Sequence, residues 1–296
     1  MSNDSIKLAG AIFLATCSSV GVVWGVDFAT RWNAMSVSSV LFLRGLLGLA
    51  LLFIYLRPRL GDLRPLEPSW ALFRLVSGGL TFVGWFGAIA CLSAPIATAL
   101  FMMDVLLLGI IRNYFSDKKD AVSFAFVSST VLLYIGVACV NSPPIFDLAN
   151  GIAFAVVGIV ARTCSQQIWE RHCKRGEQQV LRIGIPFAGS VLASLPLGGY
   201  ATDIPPPVLG GVILATAFFG LIGYLSGDYV LSKLGAYRSR LLELTAIPVL
   251  VLIDAVRTNS FPNPVTLAAV ILLALATAWA LARSRGEKFT ASEGNQ

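Results

Sequence analysis

Apolar runs of roughly twenty residues, about what a helix needs to cross a hydrocarbon core of about 30 Å, recur along the whole of this chain. They fall at about 8–29, 34–56, 69–91, 93–112, 121–141, 150–170, 180–200, 207–231, 237–256 and 264–283, separated by short breaks that carry Pro, Gly or charge. No stretch between them is long enough to fold as a separate soluble domain. The 296 residues are 56% hydrophobic and only 13% charged, about half the charge of a soluble domain. The pattern predicts an all-α membrane protein with ten transmembrane helices.

With the N-terminus in the cytoplasm, sixteen of the 22 Lys and Arg side chains lie at the cytoplasmic side, around Lys7, Arg57–Arg64, Arg112–Lys119, Arg171–Arg175, Lys233–Arg240 and Arg283–Lys288. Only Arg31 and Arg257 fall on the opposite side, while Arg44, Arg74, Arg162 and Arg182 lie within spans. This asymmetry predicts a multi-pass protein of a bacterial inner (plasma) membrane with both termini cytoplasmic. The net charge of +6 is spread over loops rather than gathered on one face, which points to the lipid bilayer and not to nucleic acid. Leu14-Ala15-Thr16-Cys17 faintly resembles a lipoprotein cleavage site, but apolar character runs on to Phe28, too far for a signal core.

Ten spans divide into five and five, and an odd number per half turns the second half upside down. Two inverted five-helix repeats are therefore expected, 1–145 and 146–286, followed by a cytoplasmic tail, 287–296. Laying "CLSAPIATAL" (91–100) on "KLGAYRSRLL" (233–242) aligns Leu92 with Leu234, Ala94 with Ala236 and Leu100 with Leu242.

Charged and amide side chains inside spans need partners or water, because an unpaired charge there costs a few kcal/mol or more. In "ARTCSQQIW" (161–169), Arg162, Gln166 and Trp169 share one helical face with Ser165 at its margin. Such a face either lines a water-filled cavity or is buried between helices. Asp104 lies near the middle of the fourth span, and three roles are open to it: a structural pair with Arg162 or Arg44, a proton-coupling group, or a holder of a substrate ammonium. Arg74 and Arg182 lie near the cytoplasmic surface, where long side chains snorkel. Asp228, Arg240 and Glu243 gather at the cytoplasmic ends of spans eight and nine, where Arg240 and Glu243 can pair and form an inner gate.

Chemistry of other kinds finds little here. The five cysteines have no metal spacing, and the four within spans read as small buried residues. The single histidine, His172, is placed in a cytoplasmic loop beside Cys173, and one His with one Cys does not make a metal site. No nucleotide-binding glycine loop is present, and no nucleophile and base sit at one depth. No catalytic residue, metal or cofactor is predicted, and the chain is not read as an enzyme.

"FVGWFGAIACLSAPIATALFMMDVLLLGII" resembles the span-three to span-four signature of the EamA-type drug/metabolite transporter superfamily. "GYLSGDYVLSKLGAYRSRLLELTAIPVLVLI", with Pro248 late in its second helix, resembles the same signature in the second half, and "LFLRGLLGLALL" resembles the arginine-bearing second helix. The first-half counterpart of Pro248 is Leu106, a departure from the pattern.

The resemblance implies a central cavity lined by spans one, three, four, six, eight and nine and opening alternately to each side. It places the Arg162–Gln166 face on that cavity and makes Arg44, on a peripheral second helix, architectural. Trp24, Trp85, Phe101, Trp169 and Tyr224 then fall on cavity helices and supply apolar walls for a small solute. The function this implies is secondary transport, by export, of a small amphiphilic metabolite such as an amino acid. Uptake or exchange of a nucleotide-like or phosphorylated metabolite is the alternative, and a non-transporting membrane enzyme or scaffold is the alternative of another class.

Overall fold

A computed structural model describes residues 3–115, 145–198, 206–259 and 264–283. Among them every regular element is helical. Helix α1 (Asn3–Asp27) runs into a π-helical turn, Phe28–Trp32. There follow α2 (Val37–Leu56), α3 (Pro68–Cys91), α4 (Ala94–Phe101), α5 (Asp104–Phe115), α6 (Ile145–Arg175), α7 (Gln179–Ser194), α8 (Pro207–Glu243), α9 (Ala246–Thr258) and α10 (Pro264–Arg283). The run predicted at 121–141 lies outside the described residues.

Among the described residues, seven helical segments are long and apolar enough to cross a membrane. One of them, Pro207–Thr258, spans 52 residues, about 78 Å if straight, and so covers the predicted eighth and ninth runs together. Pro264–Ala280 is a shorter apolar helix. Phe13, Ile54, Leu72, Val160 and Leu275 are exposed on the outside of the bundle, as a lipid-facing surface requires.

Local chemistry sets the helix ends. Ser36 caps α2 by accepting the Ser39 N–H at 3.2 Å, and Arg57 closes that helix in the left-handed conformation ahead of Pro58. Helices α3, α4 and α8 begin with proline in their first turn, where the missing N–H costs nothing. The most extensive packing is of α3 on α6 and of α1 on α8. Between α3 and α6 the backbones nearly touch: a Cβ on Gly84 would stand 2.4 Å from the Gly158 Cα. Without a hydrophobic drive between helices in lipid, close approach of this kind supplies the dispersion that holds them.

Two interruptions differ from the predicted spans. The fourth run is not continuous, since α4 ends at Phe101 and α5 starts at Asp104. Between them the helical ladder gives way to three-residue bonds, Met103 N–H to Leu100 O at 3.0 Å and Leu106 N–H to Met103 O at 2.9 Å. The same substitution recurs at Leu244–Thr245, between α8 and α9. There Leu244 N–H bonds Leu241 O and Ile247 N–H bonds Leu244 O. Pro248 accounts for the second break, because it cannot donate to Leu244 O. Met102 and Met103 are not helix breakers, and that break coincides instead with the carboxylate of Asp104, which two arginines from other helices bind.

Helix α8 is also bent. Gly235, at φ 78° and ψ 169°, occupies a region open essentially to glycine alone. The next N–H, of Ala236, is held by the Glu170 carboxylate of α6 at 3.0 Å. The turn before α4 and this bend occupy matching places: Ala94 and Ala236, Phe101 and Glu243, and Asp104 and Ala246 stand at a constant offset.

Candidate functional site

The two helix breaks meet in a charged cluster inside the bundle. Asp104, with no exposed surface, heads the first turn of α5, where the helix dipole favours a negative charge. Its Oδ2 accepts from Arg240 Nε at 2.9 Å and lies 3.4 Å from Arg162 Nε. Arg162 Nη2 donates to Glu243 Oε2 at 2.7 Å, and Arg240 Nη1 pairs with the same carboxylate. Two cations and two anions from α5, α6 and α8 thus neutralise one another. Breaking such a set from one side leaves an uncompensated buried charge, so its members stand or fall together.

Arg162, Arg240 and Glu243 of this cluster border a cavity of about 90 Å³. That is room for several waters but well below the few hundred Å³ of a typical ligand pocket. On the α6 side its wall is Arg162, Ser165, Gln166 and Trp169, all buried. Opposite stand Trp85 and Phe101, stacked in parallel at 5.1 Å, with the Arg162 guanidinium 4.4 Å from the Phe101 ring centroid. Tyr224 on α8 packs on Trp169 at 5.3 Å and on Phe187 at 5.2 Å, closing a third side. Ser18 and Ser19 of α1 and Ser239, Arg240 and Glu243 of α8 also line it.

The predicted residues therefore divide. Arg162, Gln166, Trp85, Phe101, Trp169, Tyr224, Arg240 and Glu243 come together on one cavity. Trp24 does not: it is 41% exposed and stacks on Phe28, because α1 presents that face outward. Asp104 does not line the cavity but is reached through its two arginines, and its partner is Arg240 as well as Arg162, not Arg44. Asp228 stands apart from Arg240 and Glu243. It accepts from Trp169 Nε1 at 2.8 Å and from Arg182 Nη2 at 2.6 Å, so it ties α6 and α7 to α8.

Other expectations are corrected by burial. Arg74 does not snorkel: it has no exposed surface, and its guanidinium, 5.0 Å from the Trp169 ring centroid, has no hydrogen-bond partner among the described residues. His172 lies inside α6, buried, and not in a loop. Of the cysteines within spans, Cys17 is exposed and Cys91 and Cys164 are half-buried rather than buried, and Cys139 lies outside the described residues. Among the described residues no group of His, Cys, Asp and Glu is placed to hold a metal.

Two residues were passed over or misplaced. Arg44 lines the cavity although it is on α2, packed 4.7 Å from the Phe82 centroid and 5.2 Å from that of Phe86. Asp27, at the end of the first apolar run, is fully buried and pairs with Arg31 at 3.2 Å and with Arg257 of α9. A carboxylate inside an apolar run is itself the signal that points to it.

No family model matches the chain, and no curated protein matches it. A solved structure does: at 16% identity one chain superposes with a TM-score of 0.69, covering 94% of this protein and 99% of its own length. At that identity the likeness is one of fold.

Proposed function

We infer that this protein is a secondary transporter that moves a small amphiphilic metabolite, such as an amino acid, outward across a bacterial inner membrane by alternating access. The observation that carries this reading is the cavity itself: a polar, aromatic-walled space inside a bundle of apolar helices, where two helices are interrupted at matching places. Discontinuous helices at mid-membrane are the usual site of substrate and ion binding in transporters, since their ends free backbone groups and dipoles that a continuous helix hides. The constant offset between the two interruptions supports two inverted five-helix repeats, 1–145 and 146–286. The signatures around Trp85 and Tyr224 support EamA-type membership.

Alternating access also needs closures on both sides of the cavity. Asp27–Arg257 ties α1 to α9 at one end, and the Asp228–Arg182 and Glu67–Arg171 pairs tie α8 to α7 and α3 to α6 at the other. The Arg171 guanidinium holds the Glu67 carboxyl below its usual range by hydrogen bonding. With both termini cytoplasmic, the Asp27 end faces outward. Interface pairs of this kind can break on one side as they form on the other.

The reading is tested by reconstituting the protein in lipid vesicles and following efflux of a metabolite panel with and without a pH gradient. Protein-dependent efflux of at least one solute is expected, and its absence across the panel would remove the reading. In the same vesicles Gln166→Ala is expected to raise the KM of the transported solute by up to about tenfold, the worth of one lost hydrogen bond. Folded yield should stay near normal. Unchanged affinity with a collapsed yield would show that the α6 face only holds helices together.

A further inference from the structure

The cavity wall is rich in donors that have nothing to donate to. Among the described residues, Arg44 Nε and Nη1, Arg162 Nη1, Arg240 Nη2 and Trp85 Nε1 are buried without an acceptor, against a single unpaired buried acceptor on the wall, Gln166 Oε1. The two ion-paired arginines are already neutralised by Asp104 and Glu243. Arg44 is not, being 1% exposed with no carboxylate in salt-bridge distance among the described residues. A guanidinium cannot shed its proton to escape this situation. Its surroundings are Phe82, Phe86 and Phe187, whose ring faces attract the cation without satisfying its N–H groups.

The Nη2 end of Arg44 lies at Gly220, another wall residue, where an added Cβ would stand 2.5 Å from it. The missing side chain of Gly220 therefore admits the tip of Arg44, the one cation on the cavity wall without a carboxylate partner among the described residues. We propose that Arg44 is the anchor of an anion subsite, and that the transported solute is a small organic anion whose carboxylate or phosphate group is bound there, its apolar body against Phe82, Trp85 and Tyr224. This rests on the transporter reading above and names its substrate class. An ammonium group has no counterpart in the cavity, because the wall carboxylate, Glu243, is already shared by two arginines. If the solute is an amino acid, its carboxylate is what is recognised.

The experiment compares solutes that share a phenyl ring and differ in the charged group: the anions 3-phenylpropanoate and phenyl phosphate, the zwitterion phenylalanine and the neutral 3-phenylpropanamide. Each is measured as a competitor of efflux in vesicles and as a thermal stabiliser of the detergent-solubilised full chain. The anions are expected to act at concentrations about tenfold or more below the neutral amide, the effect of a charge-assisted bond to a buried cation. The ratio between phenyl phosphate and the two carboxylates assigns the group. Arg44→Gln should erase the preference, while Gly220→Ala, which keeps the charge but crowds the tip of the guanidinium, should reduce it. If Arg44→Gln does not fold, Gly220→Ala and the wild-type charge preference decide. Equal action of acid and amide on the wild type, or an anion preference that survives both substitutions, would overturn the proposal. If no solute drives efflux, that failure falls on transport, and preferential stabilisation by the anions still decides the subsite.

Discussion

Asp104→Asn is expected to destabilise the protein by about 3–5 kcal/mol, the cost of stranding a buried charge. Asparagine keeps the shape of the side chain and can still accept a hydrogen bond from Arg240. It removes one of the two negative charges that hold Arg162 and Arg240, so Glu243 is left to compensate both. Because Arg240 is almost wholly buried, little water reaches it to make up the difference. Replacing Arg240 by Gln in the same chain should recover part of the lost stability, since the set then holds one cation and one anion. Thermal unfolding in detergent reads both variants. A mutant as stable as the wild type that transports down a solute gradient but ignores an imposed pH gradient would instead make Asp104 a proton-coupling group.

The second large effect is expected at Gly235. Its backbone conformation is denied to residues with a Cβ, so Gly235→Ala should cost about 1–3 kcal/mol of strain. The consequence reaches further than the cost. Beyond the bend, α8 carries Ser239, Arg240 and Glu243 into the cavity wall, and a straightened helix would carry both charged members away from Asp104 and Arg162. Transport should fall by more than tenfold, toward the roughly hundredfold that a misplacement near 1 Å can cost, while Glu170→Gln, which only weakens the bond to the Ala236 N–H, should have a smaller effect. A Gly235→Ala protein of full stability and activity would show that the bend does not set the site.

How much of this could be read beforehand differs from feature to feature, and the reasons are physical. Apolar length marks a spanning helix, so the runs that became α1, α2, α3 and α7 were legible with only small shifts at their ends. The helical period set the face shared by Arg162, Gln166 and Trp169, and that face does line the cavity. The break at Met102–Met103 was not legible, because neither residue disfavours helix and the cause lies in arginines on α6 and α8, far along the chain. Pro248 marked the second break, yet its effect could not be told from a mild kink. Arg74 was misjudged because depth along a helix says how far a side chain must reach for water, not which neighbours block it, and Arg44 because a peripheral helix can still send a long side chain to the cavity. The partners of Asp104 were only half legible: Arg162 and Arg44 were the candidates within spans, while Arg240 was placed at the cytoplasmic end of its span, and only the packing of α8 on α5 brings Arg240 to the carboxylate.

Alternating access of the central cavity is the claim on which the rest depends, and side-specific labelling at Ser19 tests it most directly. Ser19 lines the cavity on α1 and is not part of any ion pair. A Ser19→Cys protein without its native cysteines, reconstituted in one orientation, is exposed to a membrane-impermeant thiol reagent from one side at a time. The account predicts labelling from each side, slowed from both by a transported solute. Labelling from one side alone, at a rate no solute changes, would contradict it.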